Sequence, residues 1–215
     1  MGRQRKSFIR PSDKRDARLI VIATEGRKSE KQYFEGIKEN YRNHGVYIKV
    51  IDKSTNARSP KKILGMLNEF EDEYIIEDKD ELWMVIDIDD WEQRNLSFCN
   101  SKCKQKGYNL ASSNPCFELW LLLHLKDVDN YSPEEKEELK ENNKNGHTKT
   151  KLERELTHIL GGYNKSNIPL KIFIEKKKIS QAIDRAEVLD DPNEDWPNDL
   201  GTKVHLLVKK LVNNN

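Results

Sequence analysis

The sequence predicts an α/β fold, with a mostly parallel central sheet flanked by helices, on three observations. Residues 18–23 and 82–88 are continuous apolar runs rich in β-branched side chains, the pattern of strands buried on both faces of a sheet. Each run is followed by a turn and then a helical stretch, as in a βαβ unit. The 215-residue chain holds 35% hydrophobic and 35% charged residues, so its core is modest, yet the apolar residues arrive in blocks as they do in a folded domain.

Residues 1–17 read as a basic arm and 18–215 as one domain. After the strand at 18–23, Thr24-Glu25-Gly26 turns the chain into a helix over 31–40, with Tyr33, Phe34 and Ile37 on one side. Residues 46–51 read as a second strand. Ser59-Pro60, an N-cap followed by proline, opens a helix carrying Ile63, Leu64, Leu67 and Phe70 at three-to-four spacing. Past the strand at 82–88, a helix is expected within 92–106 and a short strand at 108–112. Asn114-Pro115 punctuates, and an apolar helix follows at 116–125. Residues 129–150 turn polar and charged and read as an insertion or lid. Helices are expected at 151–160 and 178–190, with a closing helix that begins at Thr202.

The formal net charge is +1, but it is unevenly spread: residues 1–18 hold seven Arg or Lys, and residues 69–92 are strongly acidic. Such a division suits either a polyanionic partner beside metal-binding carboxylates or an ordinary solvated arm and face. Cys99, Cys103 and Cys116 are too few for a disulfide framework, and Cys99-x3-Cys103 lacks the second pair of a zinc site. The polar start has no apolar leader, and no apolar run approaches the ~20 residues that span a bilayer. A soluble, cytoplasmic protein with no membrane partner is expected. Nothing in the pattern sets its oligomeric state.

Ligands of open α/β sheets bind beyond the carboxyl ends of the strands. Two strand ends here carry acids: Glu25 follows the first run, and Asp87 and Asp89 end the third, on one face of the strand because side chains alternate. Convergent carboxylates repel unless a cation joins them, and Mg²⁺ or Mn²⁺ suits an all-oxygen set. Asp90 is a further candidate ligand, on the opposite strand face.

Three strings then resemble the RloB family, which is linked to restriction and phage-defence loci. They are Thr24-Glu25-Gly26-x-x-Ser29-Glu30-x-x-Tyr33-Phe34, Asp87-Ile88-Asp89-Asp90, and the most specific, Asn114-Pro115-Cys116-Phe117-Glu118-Leu119-Trp120-Leu121-Leu122-Leu123-His124. Gly201-Thr-x-Val-His205 fits as well, so the likeness covers most of the chain. The resemblance implies a Toprim-like, Rossmann-like catalytic core, with a Glu after one strand and Asp-x-Asp after another, as in topoisomerases, primases and overcoming-lysogenization-defect nucleases. It implies a Mg²⁺-dependent nuclease acting on DNA or RNA, tRNA included, as effector of an anti-phage system with an RloA-like ATPase partner. Asp87 and Asp89 would hold the metal, and Glu25 would be a ligand or the general acid/base.

Glu118 either completes the acidic site or orients the Asn114-Pro115 turn, and His124 reads first as a packed histidine bonded to backbone. Asn114 binds phosphate or shapes its turn. Arg27, Lys28, Lys176, Lys177, Lys178, Lys203 and His205 are the basic candidates for phosphate contact, with Thr202 as a helix N-terminus. Trp91, Tyr108 and Trp196 stack on bases or pack in the core. Two other functions fit the same residues: a non-catalytic subunit binding nucleic acid or the ATPase, and a primase-like nucleotidyl transferase. Glu25-Gly26-Arg27-Lys28-Ser29 lacks the glycines of a P-loop, so ATP hydrolysis by this chain is not expected.

Overall fold

The computed structural model describes residues 4–14, 16–26, 28–41, 45–51, 59–89 and 91–212. In chain order, β1 (Lys6–Ser7), β2 (Arg18–Thr24), α1 (Ser29–Asn40), β3 (Val46–Ile51), α2 (Pro60–Glu73), β4 (Tyr74–Ile75), β5 (Glu81–Asp87), α3 (Gln93–Lys106) and β6 (Asn109–Asn114) form the first half. There follow α4 (Phe117–Leu123), α5 (Pro133–Glu141), α6 (Lys151–Leu160), α7 (Leu170–Phe173), α8 (Lys176–Leu189), β7 (Gly201–Thr202) and α9 (Val204–Val212). The main sheet runs β3-β2-β5-β6-β7, with β7 alone antiparallel, so the protein is α/β with a mostly parallel sheet. From β2 the chain goes outward to β3 and returns to the other side as β5. The gap between the ends of β2 and β5 is therefore a topological switch point, where such sheets bind ligands.

Strand alternation divides the core in two. Ile20 and Ile22 of β2 with Trp83 and Val85 of β5 face a layer built from α1, α4, α8 and α9. Leu19, Val21 and Ala23 with Leu82, Met84 and Ile86 face α2 and α3. Because both faces are covered, the central strands read as unbroken apolar runs. At α2 the Ser59 hydroxyl accepts from Lys62 N at 3.3 Å and Pro60 opens the helix, as its sequence predicts.

Basic residues of the arm dock rather than project. β1 lies parallel to β4, and Phe8 packs on Tyr47, Phe70 and Tyr74 at 5.2–6.0 Å between ring centroids. Arg10 forks onto both oxygens of Asp80 at 2.7 and 2.9 Å. The 129–150 segment is also anchored. Arg154 donates to the carbonyls of Asn143, Lys144 and Lys149, and Asn142 links Leu152 N to the Cys116 thiol. The closing helix starts at Val204, not at Thr202. Thr202 pairs in β7, its hydroxyl 2.7 Å from that of Ser113, so the expected anion site at a helix beginning there is not formed. Among the described residues, no helix is long and apolar enough to cross a membrane.

Candidate functional site

Glu25 and Asp87 emerge side by side at the switch point. Thr24 pairs with Val85, and Glu25 N continues the ladder onto Val85 O at 3.1 Å. Their side chains leave toward opposite layers of the sheet. Glu25 turns toward the α2/α3 side, where Trp91 Nε1 donates to its carboxylate at 3.1 Å. Asp87 turns to the α4 side and accepts from Phe117 N at 2.8 Å, capping a helix whose own N-cap residue, Cys116, makes no side-chain capping bond. Asp89 lies two residues beyond the end of β5, in the turn and exposed, so strand alternation does not position it. Its backbone N–H, with that of Ile88, is instead fixed on Pro115 O, just past the cis Asn114–Pro115 peptide.

A second pair of acids approaches from the helices. Glu30 is buried in the first turn of α1 and Glu118 in the first turn of α4, and Ser29 Oγ lies 3.2 and 3.0 Å from their carboxylates. Gly26 makes room for this: a Cβ there would fall 1.9 Å from both Glu30 carboxylate oxygens. Glu118 is only 2% exposed and is further held by Tyr163 OH at 2.9 Å and Lys165 Nζ at 3.1 Å. Tyr163 and Lys165 sit in the loop between α6 and α7, where a polar Gly-Gly-Tyr-Asn-Lys stretch carries no sequence signal of a site. Glu30 had a signal, the Ser29-Glu30 pair at a helix start, but it reads there as an ordinary helix-opening residue.

Five carboxylates thus act on one another electrostatically. Burial, then the charges of Glu30 and Glu118, hold Asp87 well above the usual carboxylate range. Burial pushes Glu25 up to about 7; the hydrogen bonds from Trp91 and the Asp87 backbone oppose the shift, and the charges of Glu30 and Asp89 add to it. Burial and Glu118 raise Glu30 to about 6. The donor set is all oxygen and short of positive charge, which is the chemistry a hard divalent cation meets. With Glu25 turned to Trp91 and Asp87 to Phe117, no three His, Cys, Asp or Glu side chains are grouped to hold a metal among the described residues.

The remaining predicted contacts divide by place. Lys28 stands exposed at the start of α1, two residues from Glu30. Arg27 and Asp90 lie outside the described residues. Asn114 donates to the carbonyls of Pro197 and Asn198 at 3.1 Å, so it shapes the 190s loop. Lys203 is buried on Asp190 at 2.6 Å and on Asp191 O, and His205 Nε2 faces the same Asp190, so neither is presented for phosphate contact. Lys176 and Lys178 open α8. Lys178 acts electrostatically on His124, six residues and so ~9 Å along the helical path from Glu118. His124 is a core histidine: one ring nitrogen lies 2.8 Å from Trp120 O, the other 3.2 Å from Tyr33 OH, and burial pushes its pKa down to about 3.

No curated protein and no solved structure matches the chain. A family model described as RloB-like protein matches residues 20–211, from β2 through α9, and this takes in Glu25, Glu30, Asp87, Asp89, Glu118 and Lys165. The chain belongs to the RloB family.

Proposed function

We propose that this chain is a Mg²⁺- or Mn²⁺-dependent nuclease with a Toprim-like core, hydrolysing phosphodiesters of DNA or RNA in the cytoplasm as effector of an anti-phage system. The observation that carries the reading is the pair of acidic strand ends, Glu25 and Asp87, side by side at the switch point, with Asp89, Glu30 and Glu118 in electrostatic reach. Asp87 and Asp89 would hold the cation, with Asp90 as a further candidate and Glu25 as a ligand or as the general acid/base. The cation's part is to polarise the phosphate and stabilise developing negative charge. In the acid/base role, Glu25, half-buried and pushed up to about 7 by burial, is suited to exchange a proton near neutral pH. Glu30 and Glu118, bridged by Ser29, act electrostatically on Asp87 and help to fix where the α1 and α4 ends meet. An RloA-like ATPase encoded alongside would restrain or trigger the chain.

One observation favours a second reading, a non-catalytic subunit that binds nucleic acid or the ATPase: Asp87 already serves as the cap of α4. The two readings separate in a cleavage assay with Mg²⁺ or Mn²⁺ on plasmid, single-stranded DNA and total tRNA, with and without the ATPase. Asp89→Asn is the cleaner control, because Asp89 is exposed and outside β5 whereas Asp87 caps a helix. Cleavage that disappears in Asp89→Asn supports the nuclease and identifies its substrate class. Binding and biological protection that survive Asp89→Asn support the subunit. Incorporation of labelled nucleoside triphosphates would instead point to the primase-like transferase.

A further inference from the structure

We infer that Lys165 is the residue of this site that grips the phosphodiester backbone of the nucleic acid, with Tyr163 and Gln32 holding its loop in place. The inference rests on the nuclease reading and adds a substrate contact to it. A polyanion approaching Glu25, Glu30, Asp87, Asp89 and Glu118 meets like charge, so it needs a cation placed among them. Lys165 is so placed. Its ammonium lies 3.1 Å from Glu118 Oε2 and 3.6 Å from Glu153 Oε1, and its charge is felt by Glu30. An ammonium carries three N–H donors, and a 3.6 Å separation is beyond a hydrogen bond. The bond to Glu118 therefore leaves donors over, and the side chain is 39% exposed where Glu118 is 2%.

The loop is fixed on both sides of the lysine. Gln32 of α1 donates to Lys165 O at 2.9 Å and accepts from Ile168 N at 3.2 Å. Tyr163 OH holds Glu118, and Lys149 Nζ holds Tyr163 O at 3.0 Å. Four hydrogen bonds outside the ion pair fix the loop and the carboxylate between which the ammonium stands, which is what positioning a substrate phosphate requires.

The test is equilibrium binding of labelled RNA and DNA oligonucleotides, with Ca²⁺ in place of Mg²⁺ to hold back cleavage, across a salt series. One phosphate contact contributes about 0.7–0.9 to the slope of log K against log salt. Lys165→Met is expected to weaken binding about tenfold on the preferred nucleic acid and to lower that slope by about one contact, with Lys165→Arg restoring it. Because Lys165→Met leaves Glu118 buried without its cation, the same comparison is made between Glu118→Gln and Glu118→Gln/Lys165→Met, in which no charge is stranded. An unchanged slope in both comparisons overturns the role of Lys165 while leaving the nuclease reading intact. Failure of the wild-type chain, with its ATPase, to bind either nucleic acid overturns both.

Discussion

In the N-terminal arm, cations meet acids and cancel them. Arg5 faces Asp72, Lys6 faces Glu73, and Arg10, only 8% exposed, forks onto Asp80, only 1% exposed. Arg18 closes the series on Glu81 at 3.0 Å. At the carboxyl ends of β2 and β5, by contrast, five acids gather with Lys165 as a contacting cation, and burial together with mutual repulsion raises Glu25, Glu30 and Asp87. Both regions join elements far apart in sequence. The first uses charge to fasten a segment to the domain. The second keeps a charge imbalance that folding alone would select against, and such an imbalance at a switch point is a reason to look for a ligand.

The contrast can be broken at either end. The largest effect is expected at the acids: Asp89→Asn should lower cleavage by on the order of 10²-fold or more and leave the unfolding temperature nearly unchanged, as measured by gel assay and thermal melt. A comparable activity would reduce the acids to surface charge. At the arm, Arg10→Ala strands a buried Asp80 and should cost about 3–5 kcal/mol of stability in urea unfolding, with nuclease activity per folded molecule retained.

Glu30 gives the pH dependence. Its folded pKa of about 6 lies above the ordinary 4.5, so the native state binds more protons than the unfolded state between those values. Stability therefore falls as pH rises through that window, by about 2 kcal/mol, and the loss persists above it. Glu30→Gln has no such loss. Its stability relative to wild type should rise by about that amount between pH 4 and pH 7, whereas a constant difference would show that Glu30 is not under strain. The smallest effect belongs to the exposed arm pair, where Lys6→Gln should change stability by less than about 1 kcal/mol and separate burial from charge as the cause of Arg10's weight.

Much of the fold was legible because sheet burial writes itself into long apolar runs. Residues 46–51 and 151–160 coincide with β3 and α6, and the runs at 18–23 and 82–88 fall within a residue of β2 and β5. β7 was not legible, because two residues, Gly201–Thr202, carry no period, and its presence moves the start of α9 from Thr202 to Val204. The strand-end acids could be read from position alone. Glu30 shows only an ordinary helix start and Lys165 nothing, since what ties them to Glu118 is contact across 89 residues through the neighbouring Ser29 and across 47 by Lys165 itself. Nor could the arm's docking, which depends on Arg10 finding Asp80 seventy residues away.

The central claim, that the acid edge takes a divalent cation, is tested most directly without substrate or partner, by the unfolding temperature of the purified chain titrated with Mg²⁺ and Mn²⁺ near pH 7.5. A saturable rise is expected in the wild type, equivalent to about 2.7 kcal/mol at a hundredfold excess over Kd, and it is lost in Asp89→Asn. A wild type that does not respond, or a rise that Asp89→Asn keeps in full, would contradict it.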